Sequence, residues 1–222
     1  RILWPDRPEI PVNTAFILTG TLFWCLFVTV TMFDMMLAFF AVAALVSVVF
    51  TAQTGHWAGF LLTGFLIGLG LLAKGPAILL HYLPVAISAP WWVLSMSGPD
   101  NTVEWSWARW YTGVVSSILC AIAIGLSWAI PAGIEGGEVY RDAIFWGQSA
   151  GRIVNSFAHA RPFWWYLAIL PILVLPWLIW PPLWRGFRLL FKSSADGGYR
   201  LCIIWFVAAF CVFSVVNGKQ AH

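Results

Sequence analysis

The chain has 222 residues, of which 61% are hydrophobic and only 9% are charged. An average soluble domain is about 45–50% apolar and about 25% charged, so a water-soluble fold could not cover this much apolar surface. The net charge of +3 includes no basic run, which argues against a nucleic-acid partner. The sequence therefore predicts an integral membrane protein whose surroundings are membrane lipids.

Seven apolar segments follow one another along the chain, several of them long enough to span a bilayer as a helix. The apolar runs are continuous and do not alternate with a period of two, which favours helices over the strands of a barrel. We predict an all-α fold, a polytopic transmembrane helical bundle of about seven spans. The expected spans are 14–32, 35–52, 57–73, 77–95, 113–131, 164–183 and 200–216.

Asp34 lies in "TVTMFDMMLAFF", between the first two predicted spans. A carboxylate at this position could orient a substrate hydroxyl or amine, or take part in acid–base chemistry. It could equally cap the first turn of the helix that follows, because an aspartate accepts hydrogen bonds from the unpaired N–H groups there. The two roles are compatible, and the local pattern leaves both open.

Lys74 interrupts the apolar run "LLAKGPAILL" and is followed at once by Gly75 and Pro76. Glycine and proline in this order end one helix and begin the next. The lysine could extend its ammonium to the membrane interface, or lie beside the last carbonyls of the preceding helix. If it faces a cavity, its three N–H donors suit a phosphate ligand.

The segment "GQSAGRIVNSFAHARPFWWYLAILP" places polar and basic residues just before an aromatic entry into a predicted span. Such a set could hold a sugar or a phosphate at the membrane surface, or it could be an interfacial belt with basic anchors. The sequence specifies no cofactor and leaves the metal unknown; a divalent metal is compatible with the carboxylates Glu135, Glu138 and Asp142. The candidate substrate-pocket residues are Arg152, Asn155, His159 and Tyr166, with Arg161 beside them.

Seven spans alternate between the two sides of the membrane. Asp34, Lys74, the 132–163 loop and the tail with Lys219 then share one side, and the 184–199 loop lies on the other. The side of the 184–199 loop carries seven Lys and Arg residues against five, and cytoplasmic loops carry the excess of cations. We therefore predict a cytoplasmic loop at 184–199 and a non-cytoplasmic loop at 132–163.

Four stretches, in this order and on one predicted side, carry a family resemblance: "DMMLAFF" from Asp34, "AKGPAILL" around Lys74, "HARPFWWYLAILPILVLPW" from His159, and "NGKQAH" at the end. Together they resemble the bacterial glycosyltransferase family 39-type proteins, the dolichyl-phosphate-mannose–protein mannosyltransferase-like group, to which the lipid A aminoarabinose transferase is related. The resemblance implies a GT-C fold in which residues 1–222 form part of one transmembrane glycosyltransferase domain, an internal piece of a longer protein.

The resemblance also implies an enzyme that moves a sugar from a polyprenyl-phosphate donor to a lipid, glycan or protein acceptor. The expected location is the bacterial inner membrane, with the active site facing the periplasm. Lys74, Arg161 and Lys219 would bind the donor phosphate, and Asp34 would line the acceptor or sugar pocket. The main acidic base would lie upstream, so we expect this piece alone to be inactive. The alternatives are a transporter or flippase of lipid-linked sugars and a non-catalytic membrane subunit.

Overall fold

The computed structural model describes residues 2–28, 33–96, 103, 105–144, 162–192 and 196–215. Helices joined by short turns make up these parts of the chain, and no strand occurs in them, so the expected all-α class is confirmed. The α-helices are α1 (Glu9–Thr19), α2 (Leu22–Phe27), α3 (Phe33–Thr54), α4 (Gly59–Lys74), α5 (Ala77–Ile87), α6 (Ala89–Trp92), α7 (Trp107–Glu135), α8 (Gly137–Asp142), α9 (Trp165–Leu173), α10 (Pro181–Lys192) and α11 (Gly197–Val215), with a 3-10 turn at Trp177–Ile179.

Three helices in the described ranges are long and apolar enough to cross a membrane, judged by length and composition: α3, α7 and α11. Helices α4 and α5 are apolar but have 16 and 11 residues. At 1.5 Å per residue, α4 rises about 24 Å, less than the ~30 Å hydrocarbon thickness. The expectation of about seven spans is therefore not confirmed, although each predicted segment contains helix.

Local breaks explain the difference from seven continuous spans. The 14–32 segment is divided at Gly20, between α1 and α2. The Trp177 ring packs closely against this glycine, and a Cβ there would lie 2.6 Å from Trp177 Cζ2. The 164–183 segment ends as a regular helix at Leu173 and continues through Pro176 into the 3-10 turn. A proline has no N–H to give to a helix and clashes with the preceding turn. Hydropathy does not register either kind of break.

The centre of the fold is α4, which packs between α3 and α7. A Cβ on Gly64 would lie 2.5 Å from the Ser117 carbonyl oxygen, and one turn later a Cβ on Gly68 would lie 2.8 Å from the Ile124 side chain of α7. On the other side of α4, the Thr63 hydroxyl donates to Ser47 Oγ of α3 at 3.0 Å. Small residues that permit close approach, and hydrogen bonds between helices, are what hold helices together in lipid.

The two ends of this bundle differ in chemistry. At the end that we call the tryptophan end, the Trp110 ring contacts the edges of Phe60 and Trp105, both at 5.2 Å between centroids, and Trp92 at 5.9 Å. The Trp110 indole N–H donates to the Ala86 carbonyl at 3.0 Å. At the opposite end, which we call the lysine end, α3 begins and α4 ends. The helix order thus places the Trp92, Trp105 and Trp110 cluster at one end, and the start of α3 with the end of α4 at the other.

Helix α11 connects the two ends. Its first residue, Gly197, lies against Trp92 and Met96 at the tryptophan end, and the Trp205 indole N–H donates to His81 Nδ1 of α5 at 3.2 Å. The helix therefore runs toward the lysine end, where it finishes at Val215. Before it, α10 occupies much of the expected 184–199 loop, because apolar and basic residues alternate there at helical spacing.

Candidate functional site

The lysine end carries an ion pair that joins two of the residues singled out from the sequence. Asp34 lies in the first turn of α3, and Lys74 is the last residue of α4. The Lys74 Nζ group donates to Asp34 Oδ1. The Lys74 side chain keeps 34% of its surface exposed, and the Asp34 side chain keeps 30%. The two opposite charges therefore neutralise each other and remain accessible to a ligand.

Local backbone chemistry places both charges at this end. Gly75 ends α4 with a φ of 68°, a value that glycine adopts without a Cβ clash, and its N–H donates to the Leu71 carbonyl at 2.8 Å. Pro76 then precedes α5. The helix break expected at Lys74 is thus confirmed. A cation at the C-terminus of α4 and an anion in the first turn of α3 are each favoured by the helix dipole.

Asp34 lies in the first turn of α3, directly after a part of the chain outside the described residues. The capping interpretation therefore stays a prediction. The contact that the structure shows for this carboxylate is the one with Lys74 across the helix interface.

An open apolar groove of about 230 Å³ lies between α3 and α4, and two of its lining residues are the sequence neighbours of Asp34 and Lys74. Phe33 adjoins Asp34 in sequence and is 69% exposed, and Ala73 adjoins Lys74. Sequence reasoning missed this groove, although helical spacing places each of its two residue sets on one face of a helix. The lining residues are Phe33, Met36, Phe40, Leu69, Leu72 and Ala73.

The structure places the other predicted residues as follows. Tyr166 lies half-buried in α9, which packs on α2 and α11, and its ring meets the edge of Trp165 at 5.2 Å between centroids. Five candidates lie outside the described residues: Arg152, Asn155, His159, Arg161 and Lys219. Among the predicted site residues that the structure describes, it brings together Asp34 and Lys74.

The carboxylates near the end of α7 lie next to an arginine. Arg141 approaches Glu138 Oε1 at 4.0 Å and Asp142 Oδ1 at 3.9 Å, and all three side chains are largely exposed. Within the described ranges, no three His, Cys, Asp or Glu residues are grouped so that they could hold a metal ion. Among the described residues of this loop, 132–144 and 162–163, Glu135, Glu138 and Asp142 thus form no such group, and a divalent metal stays an open expectation.

Two curated proteins are similar to this chain over most of its length. An undecaprenyl phosphate-alpha-4-amino-4-deoxy-L-arabinose arabinosyl transferase of Edwardsiella ictaluri (strain 93-146) is 30% identical over 175 residues, which cover 76% of this chain and 28% of that protein. A transferase of the same name from Yersinia pestis (strain Pestoides F) is 28% identical over 225 residues, which cover 98% of this chain and 38% of its own length.

No family model and no solved structure matches the chain. The chain spans 28–38% of the length of these two curated relatives. Both relatives carry the name of a sugar transferase and refer to undecaprenyl phosphate. Over most of its length, this helical membrane chain is thus similar to part of the undecaprenyl phosphate-aminoarabinose arabinosyl transferases, and the resemblance inferred from its motifs is confirmed.

Proposed function

We propose that this chain is part of an integral membrane glycosyltransferase that moves a sugar from a polyprenyl-phosphate donor to an acceptor. The observation that carries the proposal is the Asp34–Lys74 pair, with an apolar groove lined by the neighbouring residues of α3 and α4. A lipid-linked sugar phosphate needs a cation for its phosphate and an apolar surface for the first units of its chain. The names of the relatives make an undecaprenyl phosphate-linked sugar the first donor to consider.

The reaction explains why a cation is needed here. Transfer breaks the bond between the anomeric carbon and a phosphate oxygen, and the electron pair leaves with the polyprenyl phosphate. The acceptor hydroxyl forms the new bond and gives its proton to a base. A cation beside the departing phosphate stabilises the charge that develops on it. Lys74 has this role in our proposal, joined by Arg161 and Lys219.

Asp34 has a separate role in the same proposal. In the structure its carboxylate accepts a hydrogen bond from the Lys74 ammonium. A donor phosphate would compete for that ammonium and would release the carboxylate. The freed carboxylate would then accept a hydrogen bond from a hydroxyl or amine of the sugar or the acceptor. The main base is assigned to an acidic residue upstream of these 222 residues, and Arg152, Asn155, His159 and Tyr166 remain candidates for the substrate pocket.

We further propose that the lysine end faces the periplasm from the bacterial inner membrane. Basic residues favour the opposite end: Arg109 lies over the Trp105 ring at 5.8 Å, and Arg200 donates to the Trp91 carbonyl at 3.0 Å. Cytoplasmic segments are enriched in such cations. The acceptor would then be a lipid, glycan or protein that is present on the periplasmic side.

The test is sugar transfer by the full-length protein in membrane vesicles supplied with undecaprenyl phosphate-alpha-4-amino-4-deoxy-L-arabinose. Lys74→Ala should lower the transfer rate by about 100-fold or more, as for other groups that stabilise developing charge. Arg141→Ala is the matched control, because it removes a cation from the exposed carboxylates of α8 and should leave transfer unchanged.

Unchanged transfer by Lys74→Ala at normal expression would overturn the phosphate role. Movement of the donor across the membrane without a transferred product would instead identify a transporter. The names of the relatives support the transferase over that alternative.

A further inference from the structure

Helix α10 differs from the other long helices in how it distributes its residues. Its sequence, PPLWRGFRLLFK, contains three cations and no acidic residue. Leu183, Trp184 and Phe187 fall on one side of the helix, and Arg185 and Arg188 fall on another. Helices with a basic face and an aromatic or aliphatic face opposite commonly lie in the plane of the membrane interface.

Much of the apolar side of α10 is exposed. Among the residues that the structure describes, the helix packs mainly against the 3-10 turn that precedes it. Trp184 and Phe187 are 50% and 53% exposed, and a Cβ on Gly186 would meet no atom within 4 Å. An isolated helix of about 12 residues is marginally stable in water. Burial of this apolar side against a further surface would stabilise it.

The charges of α10 indicate which surface that is. Arg185 and Arg188 are both exposed, and guanidinium groups pair well with phosphate oxygens. The Trp184 indole N–H donates to the Leu178 carbonyl at 2.9 Å, so the polar edge of this ring is satisfied while its apolar part stays exposed. A ring with this division suits the interface between lipid chains and headgroups.

We propose that α10 lies along the membrane surface, with its apolar side in the interface and with Arg185 and Arg188 bound to anionic phospholipid headgroups. The helix leads to Asp196, which contacts the Trp4 indole at 3.2 Å beside the start of α11. The anionic lipid site is therefore on the side of the tryptophan end, opposite the Asp34–Lys74 pair. The proposal goes beyond sugar transfer and does not depend on it.

Hydrogen exchange of the whole protein in lipid nanodiscs tests this placement, since amide exchange follows the population of the open, unbound helix. Each basic residue near an anionic surface strengthens binding about fivefold, and two give about 30-fold. Amides of residues 183–192 should therefore exchange about 30-fold faster in the Arg185→Gln/Arg188→Gln variant than in the unchanged protein, in nanodiscs that contain phosphatidylglycerol. In phosphatidylcholine nanodiscs the two proteins should exchange alike.

The matched control is Arg141→Gln, which removes one exposed arginine that already has carboxylate neighbours. It should not change exchange in α10. Raising the salt from 0.1 to 1 M shortens the screening length from about 10 to about 3 Å, and should speed exchange of the unchanged protein in phosphatidylglycerol. Equal protection of α10 in both lipids, or full protection in the double variant, would overturn the proposal and indicate packing against protein.

Discussion

Lys74 is proposed to leave Asp34 and bind the donor phosphate. This exchange can be tested by measuring donor binding and the free energy of unfolding in the same variants. If Asp34 and a donor phosphate compete for the Lys74 ammonium, removing the Lys74 charge should weaken donor binding. Removing the Asp34 charge should strengthen it. The variants are Lys74→Met, which keeps the length of the side chain and removes its charge, Asp34→Asn, and the combination of the two. The probe is undecaprenyl phosphate, which carries the phosphate and the lipid chain without the sugar.

The magnitudes follow from the exposure of the pair and the nature of the contact. Ion pairs that are substantially exposed contribute about 0.2–1 kcal/mol, and both side chains here are about one third exposed. Lys74→Met should therefore lower the free energy of unfolding by about 1 kcal/mol or less. A hydrogen bond to a charged group contributes about 1.5–3 kcal/mol, so loss of the ammonium should weaken undecaprenyl phosphate binding by about 10- to 150-fold.

Asp34→Asn should act in the other direction. It removes a competitor worth up to about 1 kcal/mol and also a negative charge beside the incoming phosphate, so binding should tighten by up to about fivefold. In the Lys74→Met background no ammonium remains to be released and only the repulsion between Asp34 and the phosphate is relieved, so Asp34→Asn should tighten binding by less than it does in the unchanged protein. This non-additivity is what two residues in one contact are expected to show.

Native mass spectrometry or a lipid-binding titration in detergent gives the dissociation constants, and thermal unfolding gives the stability. If Asp34→Asn weakens binding as much as Lys74→Met does, Asp34 holds the ammonium in place for the phosphate and the competition is wrong. If Lys74→Met leaves binding unchanged in a folded protein, the pair is structural and Lys74 does not bind phosphate.

Two predictions concern the packing that positions the pair. Gly64→Ala should destabilise the bundle by about 2 kcal/mol or more in a detergent unfolding titration, because its Cβ would lie 2.5 Å from the backbone of α7. The control is Gly125→Ala, whose Cβ would lie 3.7 Å from the nearest side chain, and which should change stability by less than about 1 kcal/mol. Gly75→Ala should lower the free energy of unfolding by about 1–3 kcal/mol in the same titration, because a φ of 68° with a ψ of −156° is a conformation largely reserved for glycine. An unchanged midpoint would show that the break between α4 and α5 does not require a glycine.

The sequence correctly predicted features that depend on local chemistry. The break after Lys74 depends on Gly75 and Pro76, whose backbone preferences hold in any fold. The all-α class depends on the need to satisfy backbone hydrogen bonds in lipid, and composition alone conveys that need. The alternation of spans predicted that Asp34 and Lys74 lie on the same side of the membrane. Their contact in the structure agrees with that prediction.

Other expectations were wrong or incomplete because hydropathy is averaged over a window. A broken helix and a continuous one have the same composition, so the interruption at Gly20 and the end of α9 at Leu173 were not visible. Helix α10 could have been found within the expected 184–199 loop, since Trp184 and Phe187 are spaced like neighbours on one helical face. The basic residues of this segment also fit a cytoplasmic loop, which is how we interpreted them.

The sequence by itself determined that this chain lies in lipid as helices and that a lysine stands at a helix break. Only the tertiary structure decided what that lysine touches. Gly64 and Gly68 let α4 approach α7 closely, and the packing of α4 against α3 brings a carboxylate 40 positions earlier onto the ammonium. Contacts between distant residues depend on the register in which helices pack, and that register is set by side chains from several helices at once.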